Sequence, residues 1–465
     1  MEKCRRCLMN QNVVRAFVLS LFLIVFLLPA YGQEEQPQGS QKIVLTLEQC
    51  VKKAVEVSPE IGETRYETEV YKSKQLQADS AVYPRIEVLA LGSVSPQAKN
   101  DQLFVTDYTL KLNGIFGNAT ATVIQPIYTF GKIDSYREAA SSGVKVAQAG
   151  VSKKTSDIVL RTKELYYSLL LAMDLRNLVL EIQDDLVQSV DKAEKQIKEG
   201  SPWADELNLF KLKAFLGEVE KNLHETEKGI AIAKDALMTS MGLPKGSDFE
   251  IADATLSPEE RIPDAYSVSL TNAMELRPEI IQLREGIKAR QALVEAEKSE
   301  YYPKVFLAAG GSLAGATNRE RVTNPYITDF YSHAYGFAFL GVSWSYDFGI
   351  TKGKVREAVA EHDKLLETKR FADEAIPLQI RKAYLDLDEA TKNIEETEKG
   401  YTNARKWLVS AIANFDMGVG EAKDIGDAAV VYAKLKSDNL RYKYNQRLSY
   451  ANLLSATGLD LREIK

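Results

Sequence analysis

The sequence predicts a mainly α fold with a small β part, in which a helix-strand-strand-long helical hairpin unit occurs twice. Three observations carry this reading: short motifs that recur at a near-constant spacing, long stretches with apolar residues at every seventh position, and strand-like runs that come in pairs.

Ser58-Pro59-Glu60-Ile61 returns as Arg277-Pro278-Glu279-Ile280, and Tyr83-Pro84 as Tyr302-Pro303, each pair of prolines lying 219 residues apart. Phe130-Gly131 pairs with Phe348-Gly349, Arg137-Glu138-Ala139 with Arg356-Glu357-Ala358, and Met241-Gly242-Leu243 with Thr457-Gly458-Leu459. So long a period means two domain-sized halves rather than a solenoid. The halves are residues 33–242 and 265–465, and the connector 243–264 is punctuated by Pro244, Gly246, Pro258 and Pro263.

Residues 1–32 read as a secretory signal: Lys3, Arg5, Arg6 and Arg15, an apolar run from Ala16 to Leu28, then Pro29-Ala30-Tyr31-Gly32. The run is shorter than the roughly 20 residues that span hydrocarbon. Cleavage after Gly32 removes Cys4 and Cys7 and leaves Cys50 alone, so no intrachain disulfide is expected.

In each half the elements follow in one order. Thr46 to Val82 is helical in composition and stops at Tyr83-Pro84. Strands are expected at about 84–92 and 119–128, then at about 303–313 and 335–347. Long helices are expected at about 132–199 and 203–241, then at about 352–416 and 422–457. At 1.5 Å per residue the first would reach roughly 100 Å. Its apolar residues fall at sevens: Val151, Ile158, Leu165, Ala172, Val179, Leu186 and Ala193. Leu209 to Leu237 and Ile380 to Phe415 repeat the pattern, as laterally packed rods do. Turns at Gly200-Ser201-Pro202 and Met417-Gly418-Val419-Gly420 fold each pair into a hairpin, and Pro377 predicts a kink or break in its helix.

Four strands cannot close a membrane barrel, so the chain is expected to share its sheet with copies of itself. Two copies would give eight strands, and three would give twelve with room for a pore. On the fourth strand Tyr335, Phe337 and Phe339 alternate with small residues. Leu340, Val342, Trp344 and Tyr346 then continue on the opposite phase, which predicts a bulge. Tyr335, Phe337, Phe339, Trp344 and Tyr346 are the candidate lipid-facing or girdle aromatics.

These motifs in this order, X-Pro-Glu-Ile, Tyr-Pro at each first strand and Gly-Leu closing each return helix, resemble those of the TolC-type outer-membrane efflux protein family along essentially the whole mature chain. The resemblance implies a homotrimer whose four strands per protomer make a trimeric twelve-stranded β-barrel in outer-membrane lipid, continued by a coiled-coil α-barrel tunnel into the periplasm. It implies passive conduction from a periplasmic adaptor (membrane fusion) protein and an inner-membrane pump of the resistance-nodulation-division or ATP-binding-cassette type, or from a secretion exporter. It also makes Asp424 and Asp427, just after Gly418, candidates for a periplasmic-tip constriction, since rings of carboxylates select cations. Acidic residues also suit a helix's first turn because of its dipole. Trp203, with Gly200, Ser201, Pro202, Gly418 and Gly420, is a candidate adaptor contact, or an ordinary anchor of its turn.

The competing expectation is a soluble exported coiled-coil protein, structural or adaptor-like. A net charge of −6 without a basic block argues against a nucleic-acid partner. His224, His333 and His362 stand in no metal-ligand spacing, and no phosphate-cradling loop or nucleophile elbow occurs, so no catalytic, cofactor or metal residue is expected.

Overall fold

The computed structural model describes residues 43–97, 111–202, 205–322, 324 and 326–462. The signal-like segment 1–32 and Trp203 therefore lie outside the described residues. One compact unit, residues 44–246 and 251–465, holds every element labelled below. The described part of a second, small unit is Ile43 and Ser247–Glu250, where short strands begin at Ile43 and Phe249.

The two repeats match element for element. The first runs α1 (Leu47–Val57), α2 (Pro59–Ser80), β1 (Arg85–Ser95), β2 (Gly114–Tyr128), α3 (Lys132–Lys198) and α4 (Glu206–Ser240). The second runs α5 (Tyr266–Leu276), α6 (Pro278–Lys298), β3 (Lys304–Ala316), β4 (His333–Ser343), α7 (Ile350–Asp416) and α8 (Ala422–Thr457). Both α3 and α7 are 67 residues long.

Thr46 to Val82 is two helices rather than the one expected. Proline disfavours α geometry in the residue before it, so Ser58 turns to ψ 118° and α1 ends. Pro59 then opens α2 at a position that needs no N–H, and the Ser58 hydroxyl accepts from Ile61 N–H at 3.4 Å. Arg277-Pro278 divides α5 from α6 in the same way. The Gly-Leu motifs answer these breaks. Gly242, at φ +63°, lies against Val57, and Gly458, at φ +71°, lies against the backbone of Leu276 and Arg277. A Cβ at Gly458 would stand 2.9 Å from the Leu276 carbonyl carbon, a rigid neighbour. Gly458→Ala is therefore expected to lower stability by about 1–3 kcal/mol, read as a lower midpoint in thermal unfolding; an unchanged midpoint would show that this closure is slack.

The rods pack by their sevens. Along α7, Ile380, Leu387, Ile394, Leu408 and Phe415 are buried, with Ala383, Ala390, Ala404 and Ala411 between them, so large and small residues interlock against α8. The expected break at Pro377 does not occur: α7 continues through it, and the Pro377 carbonyl accepts from the Tyr266 hydroxyl at 3.3 Å. Near the tips, α3, α4, α7 and α8 share one core that includes Leu186, Leu212, Leu408 and Ile425. Each tip turns on a left-handed glycine. At Gly200 (φ +66°) Ser201 N–H reaches Gln196 O, and at Gly418 (φ +76°) Val419 N–H reaches Asn414 O, both at 3.0 Å. Cys50 is buried in α1, and burial pushes its thiol up to about 11.

The four long strands form one antiparallel sheet in the order β1-β2-β3-β4, so the two repeats join edge to edge through β2 and β3, and among the described residues β1 and β4 keep one unpaired edge each. The fourth strand carries no bulge. Its ladder with β3 runs regularly from Ala314↔His333 to Lys304↔Ser343, and residues 344–347 lie beyond it. The irregularity falls in β2, between Pro126 and Tyr128, where proline cannot donate to the ladder.

Candidate functional site: a two-faced sheet and a hairpin tip

Alternate residues of a strand point to opposite faces, so the register sorts the sheet. One face carries Ile86, Val88, Ile115, Val123, Leu313 and Leu340, with further valines and leucine, alanine, glycine and a single amide, Gln125, along the strands. Much of this apolar surface is bare: Val88 is 72%, Ile115 73% and Leu340 67% exposed. The other face is mixed and carries the sheet's polar groups, Glu87, Asn118, Thr120, Thr122, Ser312 and His333, beside Leu89, Leu91, Phe116, Ile124 and Phe306. There the Thr120 hydroxyl meets Asn118 Oδ1 and Ser312 Oγ at 3.0 Å each, and Ser312 meets His333 Nε2 at 2.9 Å.

Tyr335, Phe337 and Phe339 sit on this second, polar face, opposite Ser312, Gly310 and Ala308. That separates them from Leu340 and Val342, with which the expected bulge would have grouped them. Without a bulge, Leu340 and Val342 belong to the apolar face and the three aromatics to the polar one.

Trp344 and Tyr346 are placed differently, past the end of β4 where the sheet gives way to helices, at 63% and 69% exposure. Trp344 Nε1 donates to Tyr301 O at 3.3 Å, and Tyr346 packs edge-on to Phe348. The first repeat supplies Tyr128 edge-on to Phe130, which stacks on Tyr302 at 5.0 Å. Phe130 and Phe348 both hold φ +52°, each followed by a positive-φ glycine, so the repeated Phe-Gly is the corner from strand into long helix. Sequence reasoning saw the repeated Phe-Gly without its corner role, and the adjoining rings went unremarked.

At the tip, Asp424 and Asp427 lie on the exposed side of the first turns of α8, one turn apart, with Lys423 also exposed. The buried side presents Ala422, Ile425 and Gly426 to the shared core. Gly420 is cramped, since a Cβ there would lie 2.9 Å from Phe415 N. Behind the tip a network that sequence reasoning missed ties the two hairpins together. Arg405 of α7 pairs with Asp185 and, at 3.3 Å, with Glu181 of α3, and the Tyr432 hydroxyl of α8 donates to both Glu181 oxygens at 3.0 and 3.1 Å. The hydrogen bond to Asp185 holds the Arg405 guanidinium above its usual range, and burial followed by the Glu181 charge pushes the Tyr432 phenol up. Its partners are more than 200 residues apart in sequence, so no local pattern announces it.

No helix among the described residues is long and apolar enough to cross a membrane. The fold defines a class of chain in which long helical hairpins accompany an open, two-faced antiparallel sheet. Residues 270–459, most of the second repeat, match the family described as "Outer membrane efflux protein". The chain is 20% identical over 360 residues to the alkaline protease secretion protein AprF of Pseudomonas aeruginosa, covering 73% of this chain and 69% of that one. Its fold is that of the outer-membrane channel OprN, at a TM-score of 0.75 and 14% identity over 89% of both chains. The Campylobacter jejuni CmeC outer membrane channel is similar too, at 0.73 and 15% over 89% of this chain and 86% of that one. The family match thus covers the second repeat, and the fold likeness runs along nearly the whole chain.

Proposed function

We propose that the chain is the outer-membrane channel component of a tripartite efflux or secretion system, and that it conducts passively and catalyses nothing. The sheet carries the reading. An open four-stranded sheet with two free edges, one bare apolar face and one hydrogen-bonded polar face is incomplete in water, and it is complete when copies close it into a barrel with the apolar face toward lipid. Three copies supply twelve strands and an open bore. The helices support the same assembly, since α4 buries only Leu212, Leu237 and Met238 within the chain and leaves Phe210 and Ile232 exposed for a neighbour. A soluble coiled-coil protein would have no use for so large a bare apolar face.

The hairpin tips, Gly200-Ser201-Pro202 and Gly418 to Gly420, would then meet a periplasmic adaptor that delivers solute from a resistance-nodulation-division or ATP-binding-cassette pump. Three copies of Asp424 and Asp427 would ring the entrance. The test is to recover the protein from the outer-membrane fraction and measure ion currents in planar bilayers. Cation-selective channels are expected from the native chain, and weaker cation selectivity from Asp424→Ala with Asp427→Ala. Recovery only as soluble periplasmic protein would overturn the function, whereas unchanged selectivity in the double variant would remove only the two aspartates from it.

A further inference from the structure

The polar face of the sheet holds one feature that a plain water-filled bore does not require. His333, Tyr335, Phe337 and Phe339 follow at every second position of β4, so they stand in file on one face, their Cα atoms about 7 Å apart along the strand. His333 stacks on Tyr335 at 5.1 Å, Phe337 stacks on Phe339 at 5.6 Å, and Phe306 of β3 adds its edge to Phe339 at 6.4 Å. The rings lie over small residues. A Cβ at Gly310 would be 2.8 Å from Phe337 Cζ, and one at Gly341 would be 2.5 Å from Phe306 Cζ. With no Cβ at Gly310 or Gly341, the Phe337 and Phe306 rings come close down against the sheet. Tyr335 and Phe339 remain 56% and 50% exposed, Tyr335 opposite Ser312 and Phe339 opposite Ala308.

We propose that this file is a stacking track for solutes that carry a planar aromatic ring, passing them from ring to ring along the barrel wall. The inference rests on the channel reading above, which makes the polar face the lumen. Offset stacking on a flat ring is weak at each step, and a conduit needs several weak sites so that solute both enters and leaves. Closure of β4 against a neighbour's β1 would border the track with Leu89 and Leu91, which lie on the same face and are exposed.

The test uses the full-length protein in planar bilayers carrying potassium chloride current. 9-Aminoacridine is the probe, and tetramethylammonium is a cation of equal charge without a ring. Transient blocks are expected with 9-aminoacridine and not with tetramethylammonium. Their dwell time should shorten by about fivefold or more in Tyr335→Leu/Phe337→Leu/Phe339→Leu, which keeps apolar bulk and removes the rings. Equal dwell times in the native and leucine proteins, or equal block by both cations, would overturn the track while leaving the channel standing. Should the triple variant fail to assemble, Tyr335→Cys and Leu340→Cys decide the facing. A charged, membrane-impermeant thiol reagent should cut the current of the first and spare the second, and the reverse pattern overturns the proposal. Absence of potassium chloride current from the native protein would instead fell the channel reading, and the track with it.

Discussion

Val88→Arg is expected to abolish stable assembly in the membrane, while Thr122→Arg, on the neighbouring strand but the opposite face, leaves it intact. Val88 lies mid-strand on the bare apolar face, paired with Ala121. An arginine there would have to enter hydrocarbon, at a cost of about 2–4 kcal/mol per protomer near the membrane midplane. Every copy in a closed barrel bears that cost, so it multiplies with the number of protomers. Thr122 sits between Glu87 and Gly310 on the polar face, where a guanidinium would stay in water. The measurement is the amount of heat-resistant oligomer extracted from outer membranes. Equal yields would mean that neither face meets lipid, and a loss confined to Thr122→Arg would mean that the faces have been assigned the wrong way round.

Arg405→Ala is expected to loosen the second hairpin from the first at the tip and so to raise single-channel conductance. Arg405 reaches Asp185 and Glu181 across the interface, its ring-facing side lies over Tyr432, and its removal leaves two carboxylates of α3 without their cation. Hydrogen bonds to charged groups contribute about 1.5–3 kcal/mol each, and partial exposure of these side chains puts the loss at the lower end of that range. Arg405→Lys should restore the link only in part, since an ammonium cannot serve both carboxylates as a planar fork does. Tyr432→Phe should act in the same direction more weakly, because it removes one neutral donor. Conductance of all three variants at the native value would show that the two hairpins do not move against one another during opening.

Much of this molecule was legible in its sequence. The twofold repeat, the paired strands, the long rods and their glycine turns are recorded in spacing and composition, because period 2, period 3.5 and positive-φ glycine are local demands on the chain. Even the helix division at Ser58-Pro59 was available locally, from the restriction that proline imposes on the residue before it. Asp424 and Asp427 were singled out only through the family resemblance, and the direction they face in an assembly was not legible at all.

The faces of the sheet belong to the other category. Alternation in β4 tells which residues share a side, and the expected bulge would have joined Tyr335, Phe337 and Phe339 to Leu340 and Val342, which the regular ladder puts on opposite faces. A strand's own sequence gives only the phase of its alternation, whereas its partners decide what lies on each face. It is the pairing of Tyr335 with Ser312, and of Ser312 with Thr120, that sets the aromatics among polar groups. The same holds for Arg405, Glu181 and Tyr432, which come together only when two hairpins fold against each other. Local periodicity thus determined what the parts are, and long-range pairing, invisible to any window along the chain, decided which residues share each face of the sheet and where the two hairpins are tied together.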